Sequence, residues 1–352
     1  MSQNDKFLSR LCKTCENIAT TLDYDTALNN LVENAIQCLN AKASSIRLLD
    51  KTGSILEIAA THGLSERYLK KGPVEVDQSP IDQETLKGEP VQIKDVSKDH
   101  RFQYPEEAKE EGIRSVLCVP LRCHKRMLGV LRIYTYQERE FNQEEISFVS
   151  ILATQSAVVI RNALRFRRMK SLNAIGRTIT SQRNIQNILN MISKSATDHM
   201  AGKGASIFLV NKETDQLEIT SAHGLSKAFI KKGPVKVDRS ISDCLNGKNV
   251  IVEDVSTDKR IQYQEEAEKE GIRSIVCIPL RLKEEAIGTM RVYTAYGYSE
   301  DKEDLEYLQT LGDFGVVALE NARLYDLIQK DYRDLIKDVW KWYDWGKREP
   351  KL

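Results

Sequence analysis

Two strings place an arginine and a tyrosine at alternate positions, Arg132-Ile133-Tyr134 and Arg291-Val292-Tyr293. In an extended strand that spacing puts both polar side chains on one face, with Leu131 and Ile133 on the other in the first string. A polar pair on an otherwise apolar sheet suggests the wall of a pocket. Ser45 and Arg47 share a strand face in the same way. A guanidinium offers a planar fork of donors to a carboxylate or phosphate. The alternative is arginines that reach from a sheet face already in water.

The nucleophiles and metal ligands are less suggestive. Cys12-Lys-Thr-Cys15 has the gap of a metal or redox pair, but no second Cys or His pair completes a site, so these read as core-facing thiols on an amphipathic helix. The seven cysteines are an odd number in a chain long enough not to need disulfides, which indicates a reducing compartment.

The elements that carry these residues occur twice. EEAKEEGIRSVLCVPLR, Glu106 to Arg122, returns as EEAEKEGIRSIVCIPLR, Glu265 to Arg281. In the same order, ATHGLS from Ala60 returns as AHGLS from Ala222, KKGPV from Lys70 returns from Lys231, and RIYT from Arg132 returns as RVYT from Arg291. A period of about 160 residues is too long for a solenoid repeat, so each copy predicts a domain with its own core. His62 and His223 match between copies but each lacks a partner. His100, His124 and His199 have no counterparts, so structural or solvent-facing imidazoles are expected. Cys118 and Cys277 also match; mid-strand among apolar residues, they read as inert core thiols.

Within each copy, Leu28, Leu31, Val32, Ala35, Ile36 and Leu39, then Ile185, Ile188, Leu189 and Ile192, recur at helical spacing. Short β runs from Ser44 and Ser54 flank a turn at Lys51-Thr-Gly53 that suits a hairpin. Ser65 and Ser226 predict N-caps of short helices, stopped at Gly72-Pro73 and Gly233-Pro234. Pro105 to Gly112 predicts an acidic helix, followed by two longer strands and a closing helix from about Asn142 and again from about Asp301. Pro120 and Pro279 cannot donate to a ladder and predict a bulge or break. The sum is an α+β chain, an antiparallel sheet between helical layers in each domain.

This order resembles the GAF domain, over Asn17 to Ala163 and again over Ile175 to Tyr325. The most specific signals are Gly112-Ile-Arg-Ser115, then Val119-Pro-Leu121, then Gly129 opening the next strand. The resemblance implies a PAS-like fold and a sensory or regulatory module that holds a small molecule, or only a partner, between its sheet and the covering loops. It also implies that the first strand lies beside the last, so Arg47 and Arg132 would face one anionic ligand. The second copy has Phe208 at the position of Arg47. The other pocket candidates are Ser45, Tyr104, Arg114, Ser115 and Tyr134 in the first copy, and Ser206, Tyr263, Arg273, Ser274, Arg291 and Tyr293 in the second. For Arg114 and Arg273 the simpler reading is pairing with the preceding acidic helix, Glu106, Glu107, Glu110 and Glu111 in the first copy. The loop at Phe102-Gln-Tyr-Pro lacks the cysteines of the free methionine sulfoxide reductases that share this fold. Asn211-Lys212 matches the cyclic-nucleotide signature only in part, and no bilin-attachment pattern occurs.

Val158, Phe166, Met169, Leu172, Ile175 and Ile179 form an apolar stripe between the copies, and Val317, Leu324, Ile328, Tyr332, Leu335 and Val339 form another after the second. Asn162, Met169, Leu172, Asn321, Leu324 and Ile328 are the candidate seam of a coiled coil, in which an Asn fixes register. Each stripe packing on its own sheet is the alternative. Trp340, Trp342 and Trp345, all three tryptophans of the chain, cannot face one helix stripe and mark a candidate docking surface.

Lys+Arg 52 against Asp+Glu 51 gives net charge +1 and argues against a nucleic-acid partner. No signal peptide is evident and no apolar run reaches the ~20 residues of a membrane span, so the expectation is a cytoplasmic protein with no membrane partner. The expected organisation is a helical extension 1–16, domains 17–165 and 166–325 joined by a long helix, and a helical tail 326–352, too short to be a further output domain. The expected function is non-enzymatic sensing through a homodimer and a separate signalling partner, with no catalytic residues, metal or cofactor, and an unknown small-molecule ligand. The alternatives are a methionine sulfoxide reductase-type enzyme and a purely structural dimerisation module.

Overall fold

A computed structural model describes residues 24–123, 126–181, 184–236 and 242–346, with side chains of the last helix described to Lys337. The chain divides into two compact units at Arg167/Arg168.

In the first unit, α1 (Tyr24–Leu39) leads into the hairpin β1 (Ala43–Leu49) and β2 (Ile55–His62). Its turn is tied by Asp50, whose carboxylate accepts from the backbone N–H of Ser54 and Ile55, both at 2.9 Å. There follow α2 (Glu66–Leu69), β3 (Val74–Glu75), α3 (Pro80–Leu86), β4 (Val91–Ile93), α4 (Pro105–Glu110), β5 (Ser115–Cys123), β6 (Arg126–Thr135) and α5 (Gln143–Ser181). The six strands are antiparallel in the order β3-β2-β1-β6-β5-β4, so the first strand does pair with the last.

The second unit repeats this with α6 (Ile185–Met200), β7 (Gly204–Asn211), β8 (Gln216–His223), α7 (Lys227–Ile230), β9 (Val235–Lys236), α8 (Ser242–Leu245), β10 (Val250–Val252), α9 (Gln264–Lys269), β11 (Ser274–Leu282), β12 (Glu285–Thr294) and α10 (Lys302–Gly346). Its strand order is the same, β10-β11-β12-β7-β8-β9 read from the other edge. The expected α+β architecture is present twice, and the single helix α5 runs across the boundary between the units.

Alternation assigns the two sheet faces. In the first unit Ile46, Leu117, Val119, Leu131 and Ile133 meet Leu28, Leu31, Val32 and Ala35 of α1 and Val149, Leu152, Ala153 and Ile160 of α5. Each fully buried branched side chain contributes about 1.5–3 kcal/mol. This helical side is the main core. α5 is long and apolar enough, by composition, to cross a membrane. Val149, Leu152, Ala153, Ala157 and Ile160 are buried in the core, while Ile151, Val158, Leu164, Phe166 and Met169 are exposed. The opposite face carries Ala43, Val116, Cys118 and Tyr134, covered by Tyr68 of α2, Ile81 of α3, and Phe102, Ala108 and Ile113 around α4. The second unit divides likewise.

Two local features differ from the expectation or refine it. Pro120 and Pro279 stay in register opposite Val130 and Thr289, and the ladder slips one residue later, at Leu121/Arg122 and Leu280/Arg281. The proline is tolerated because β4 pairs only Val116, Leu117 and Cys118, so beyond Cys118 that side of β5 is a free edge. A second irregularity falls between Ile46 and Arg47 in the β1–β2 pairing, and between Ile207 and Phe208 in its repeat. The bulged backbone presses on the neighbouring strand: a Cβ on Gly129 would collide with the Arg47 carbonyl oxygen, and on Gly288 with that of Phe208. Bulges of this kind re-aim a side chain.

Candidate functional site

Arg47 from β1 and Arg132 and Tyr134 from β6 stand on the covered face of the first sheet. Neither arginine snorkels to water: they are 1% and 2% exposed. Arg132 is paired. Its Nε donates to Asp82 Oδ1 at 3.2 Å and its Nη2 to Asp82 Oδ2, while Ser79 Oγ donates to the same Oδ2 at 2.5 Å. Asp82 sits on α3, whose first turn is fixed by Pro80. Burial works against the Arg132 charge, but Asp82 outweighs it and holds the guanidinium pKa well above its ordinary value.

Arg47 has no such partner. Its Nη1 donates to the Leu56 carbonyl at 3.4 Å, and its Nε, fully out of water, has no acceptor. Lys71 is the third cation. Its Nζ is buried without a hydrogen bond, 3.8 Å from the Tyr68 ring centroid and 4.7 Å from that of Tyr104. Burial, with Arg132 and Arg47 close by, pulls its pKa down to about 6. The covered face thus holds Arg47 and Arg132 with Asp82, and Lys71 stands between those two arginines and the carboxylates of Glu107 and Asp82. An arginine cannot shed its proton, so the uncompensated charge is relieved at the lysine.

Lys71 and Tyr68 also form part of a cleft of about 590 Å³ between α2 and α4, with Ser65, Arg67, Lys70 and the carboxylates of Glu106, Glu107, Glu110 and Glu111 on its walls; Arg47 and Arg132 do not line it. Glu111 clasps that cleft. Its Oε1 accepts from Lys42 Nζ and the Ser65 N–H, both at 3.1 Å, and its Oε2 from the Ser65 hydroxyl. The hydroxyl of Ser65 also caps α2 by accepting from the Tyr68 N–H. Tyr104 closes one side, donating to the Pro73 carbonyl at 2.8 Å. Ser45 Oγ and the Tyr134 hydroxyl share a hydrogen bond of 3.1 Å.

Ser45, Arg47, Arg132 and Tyr134 therefore meet on one face, with Tyr104 at its margin. Arg114 and Ser115 do not join them. Arg114 binds Asp95 at 3.0 Å and Glu138 at 3.3 Å instead of the acidic helix α4, and Ser115 shares a 2.5 Å hydrogen bond with Thr135. Arg273 lies 3.6 Å from Asp254, and Ser274 pairs with Thr294, in the same places of the second unit. Sequence reasoning missed Asp82, Lys71 and Tyr68. The repeated KKGPV contains Lys71 and could have pointed to it, whereas Asp82 lies where Gly88 follows Gly72 by 16 positions but Gly247 follows Gly233 by 14, so no repeat marks it.

The second unit's face is different. Phe208 replaces Arg47, and the Arg291 guanidinium carbon lies 4.6 Å from the Phe208 ring centroid. Ser206 and Tyr293 share a 2.9 Å hydrogen bond, and Tyr263 donates to the Pro234 carbonyl at 2.9 Å. Lys232 donates to the Phe229 carbonyl at 3.2 Å and stands 3.6 Å over the Phe229 ring. A cavity of about 20 Å³ there is lined by Arg291, Tyr293, Lys232 and Tyr263 among others.

Among the described residues no cluster of three or more His, Cys, Asp or Glu side chains is arranged to hold a metal. Cys118 is fully buried, and burial pushes its thiol up to about 12. His62 is exposed and His223 half-buried; Cys12, Cys15 and His124 lie outside the described residues. On the connecting helix Leu172, Ile175 and Ile179 pack into the second core, while Asn162, Val158, Phe166 and Met169 are exposed. Asn321, Leu324, Ile328, Tyr332 and Leu335 are exposed along α10. The helix continues to Gly346, but the side chains of Trp340, Trp342 and Trp345 lie outside those described, as does the extension 1–16.

A family profile described as GAF domain matches residues 21–161 and 182–320. Over 153 residues the chain is 29% identical to the phosphoenolpyruvate-dependent phosphotransferase system of Escherichia coli (strain K12), a match that covers 44% of this chain and 20% of that protein. It is 22% identical over 237 residues to the formate hydrogenlyase transcriptional activator of Salmonella typhimurium (strain LT2), covering 66% of this chain and 34% of the other. Among solved structures, a GAF domain from an Acinetobacter phosphoenolpyruvate-protein phosphotransferase aligns at 25% identity and a TM-score of 0.41, over 46% of this chain and 96% of that one. A bacteriophytochrome from the photosynthetic bacterium R. palustris aligns at 11% identity and a TM-score of 0.55, over 90% of this chain and 76% of that one, a likeness of fold.

Proposed function

The chain belongs to the GAF domain family, carrying two such domains in tandem, and on that premise we propose that it is a sensory protein whose first domain binds a small anionic molecule. The observation that supports this reading is Arg47, a guanidinium 1% exposed with an unpaired Nε, on a sheet face where the Asp82 carboxylate is already committed to Arg132. An unpaired buried charge costs several kcal/mol, and a carboxylate or phosphate against Arg47 and Lys71 offsets that cost. The second domain, with Phe208 in that place, is read as binding no comparable anion. The whole chain spans a small part of its curated relatives, whose names are those of regulatory and signalling proteins. The mode of action proposed is binding without catalysis, in the cytoplasm, through a homodimer and a separate signalling partner. The high thiol pKa of Cys118 supports this over a thiol reductase there.

Calorimetry of the full chain against a panel of small carboxylates and phosphates tests the proposal. A ligand at about a hundredfold excess over its Kd stabilises the domain by roughly 2.7 kcal/mol. The expected result is an upward shift of one unfolding transition, lost in Arg47→Phe. A panel without a single shift, or an equal shift in that variant, counts against the anion site.

A further inference from the structure

Three buried side-chain atoms over the covered sheet face of the first domain have no hydrogen-bond partner: Arg47 Nε, Lys71 Nζ and the Tyr68 hydroxyl. The duplication supplies a comparison. In the alignment that sets Lys70 of KKGPV against Lys231, the same three places hold Phe208, Lys232 and Phe229. Two of the three atoms do not exist there, and the third is satisfied, Lys232 donating to the Phe229 carbonyl at 3.2 Å. The ring at the Tyr68 place is used alike in both domains. Tyr68 meets Tyr134 edge-on with centroids 6.4 Å apart, and Phe229 meets Tyr293 edge-on at 5.5 Å. Packing therefore needs the ring and not the phenol oxygen. Yet Tyr68 is 2% exposed, and with Lys71 it lines the cleft of about 590 Å³. Burial and then Tyr134 push its phenol pKa up, so the oxygen keeps its proton and is a donor, while the charges of Arg132 and Arg47 act on it from the sheet face. A buried donor without an acceptor is destabilising, and beside a cleft it marks the place of an absent acceptor.

We propose that the Tyr68 hydroxyl is a second contact of the first domain's ligand, and that this ligand is a monocarboxylate bearing a further acceptor oxygen, a hydroxyl or a carbonyl. This rests on the reading of Arg47 as the anion contact and states what else the molecule carries. The carboxylate answers the guanidinium of Arg47, and the added oxygen accepts from Tyr68. A plain carboxylate satisfies the first and leaves the phenol without an acceptor. The charge of the cleft selects within the anions. Its walls carry four carboxylates, of which Glu110 is paired with Arg67 at 2.6 Å and Glu111 with Lys42 at 3.1 Å. Such walls oppose a phosphate dianion more than a singly charged acid. The second domain, with phenyl rings at both places, offers neither contact.

Titration calorimetry of the full chain with acids matched in carbon skeleton tests this: lactate and pyruvate against propionate, 3-hydroxybutyrate against butyrate, with inorganic phosphate alongside. A site built to hydrogen-bond an oxygen rejects the analogue that lacks it, so an oxygenated acid is expected to bind at least about tenfold tighter than its plain partner. Tyr68→Phe, which copies the second domain, is expected to bring the two within about threefold of each other by removing the only contact that tells them apart. Thermal unfolding of the unliganded variant separates this from a structural role, its transition expected to hold its temperature or rise. A lowered transition overturns the proposal, because the hydroxyl then has a partner in the empty protein, and so does discrimination that survives in Tyr68→Phe. Plain acids or phosphate bound as tightly as the oxygenated acids also overturn it but leave the anion site of Arg47 standing. Binding of none of these probes overturns both.

Discussion

Arg132 and Asp82 form an ion pair shut away from water on both sides, and Arg47, on the neighbouring strand and the same sheet face, has no carboxylate of its own. The pair and the lone cation respond oppositely to mutation. Asp82→Asn leaves Arg132 buried and unpaired and is expected to cost the first domain about 3–5 kcal/mol. Arg47→Phe, the substitution the second domain already carries, is expected to cost less than about 1 kcal/mol or to stabilise, since it removes a charge that nothing balances. Urea unfolding of the full chain followed by circular dichroism measures both; a large loss for Arg47→Phe would mean that Arg47 is compensated in the unliganded protein.

Lys71 gives the site a pH dependence with a definite sign. Its folded pKa, about 6, lies below the ordinary 10.5, so between those values the unfolded chain carries the extra proton and stability rises with pH. Below about 6 both states are protonated and this slope ends. The groups around the ammonium are Arg132 and Arg47, which lower its pKa, and Glu107 and Asp82, which raise it. An added anion restores the proton to Lys71, so anion affinity is expected to fall as pH is raised from 6 towards 9. Titration calorimetry at several pH values checks this, with Lys71→Met flattening the dependence.

The exposed seam on α10 is expected to join two copies of the chain. Leu324 and Ile328 are 49% and 67% exposed, and Asn321 and Leu335 extend the same seven-residue recurrence with Ile328 between them. Sedimentation at tens of micromolar should show a dimer, and Leu324→Glu with Ile328→Glu should weaken it at least tenfold. A wild-type monomer at that concentration refutes the assignment.

Truncation after Lys337 removes the helical turns that bear Trp340, Trp342 and Trp345. Both domain transitions are expected to stay within a few degrees of their original temperatures while capture of a signalling partner from native extract is lost. A drop of more than about 5 °C, of the size that ~1 kcal/mol produces in a small domain, would identify the tryptophans as a cap over the fold.

The sheet and its helical core were legible because each rests on a period: two for the strands, 3.6 for the helices, and the longer one of the duplication; the shared face of Arg47 and Arg132 was legible only through the family resemblance, which implies that the first strand lies beside the last. What lay outside any period was lost. Asp82 is on a seven-residue helix in the segment where the copies differ in length, and a single carboxylate there carries no pattern. Lys71 was quoted only as part of a repeated turn, since its meaning depends on α2 and α4 folding over it. Arg114 was assigned to the nearest acidic helix by sequence distance, but the loop after β4 brings Asp95 closer in space. The break expected at Pro120 lies one residue later, between Leu121 and Arg122 in the β5–β6 ladder, while the proline keeps its place opposite Val130.

The bulge at Arg47 and Phe208 has an evolutionary corollary. In both copies the glycine on the adjacent strand, Gly129 or Gly288, yields to the backbone of that residue and is indifferent to its side chain. One codon can therefore exchange a guanidinium for an aromatic ring at this place without disturbing the strand ladder. After duplication the two domains were free to diverge in the chemistry of this face while keeping one strand order.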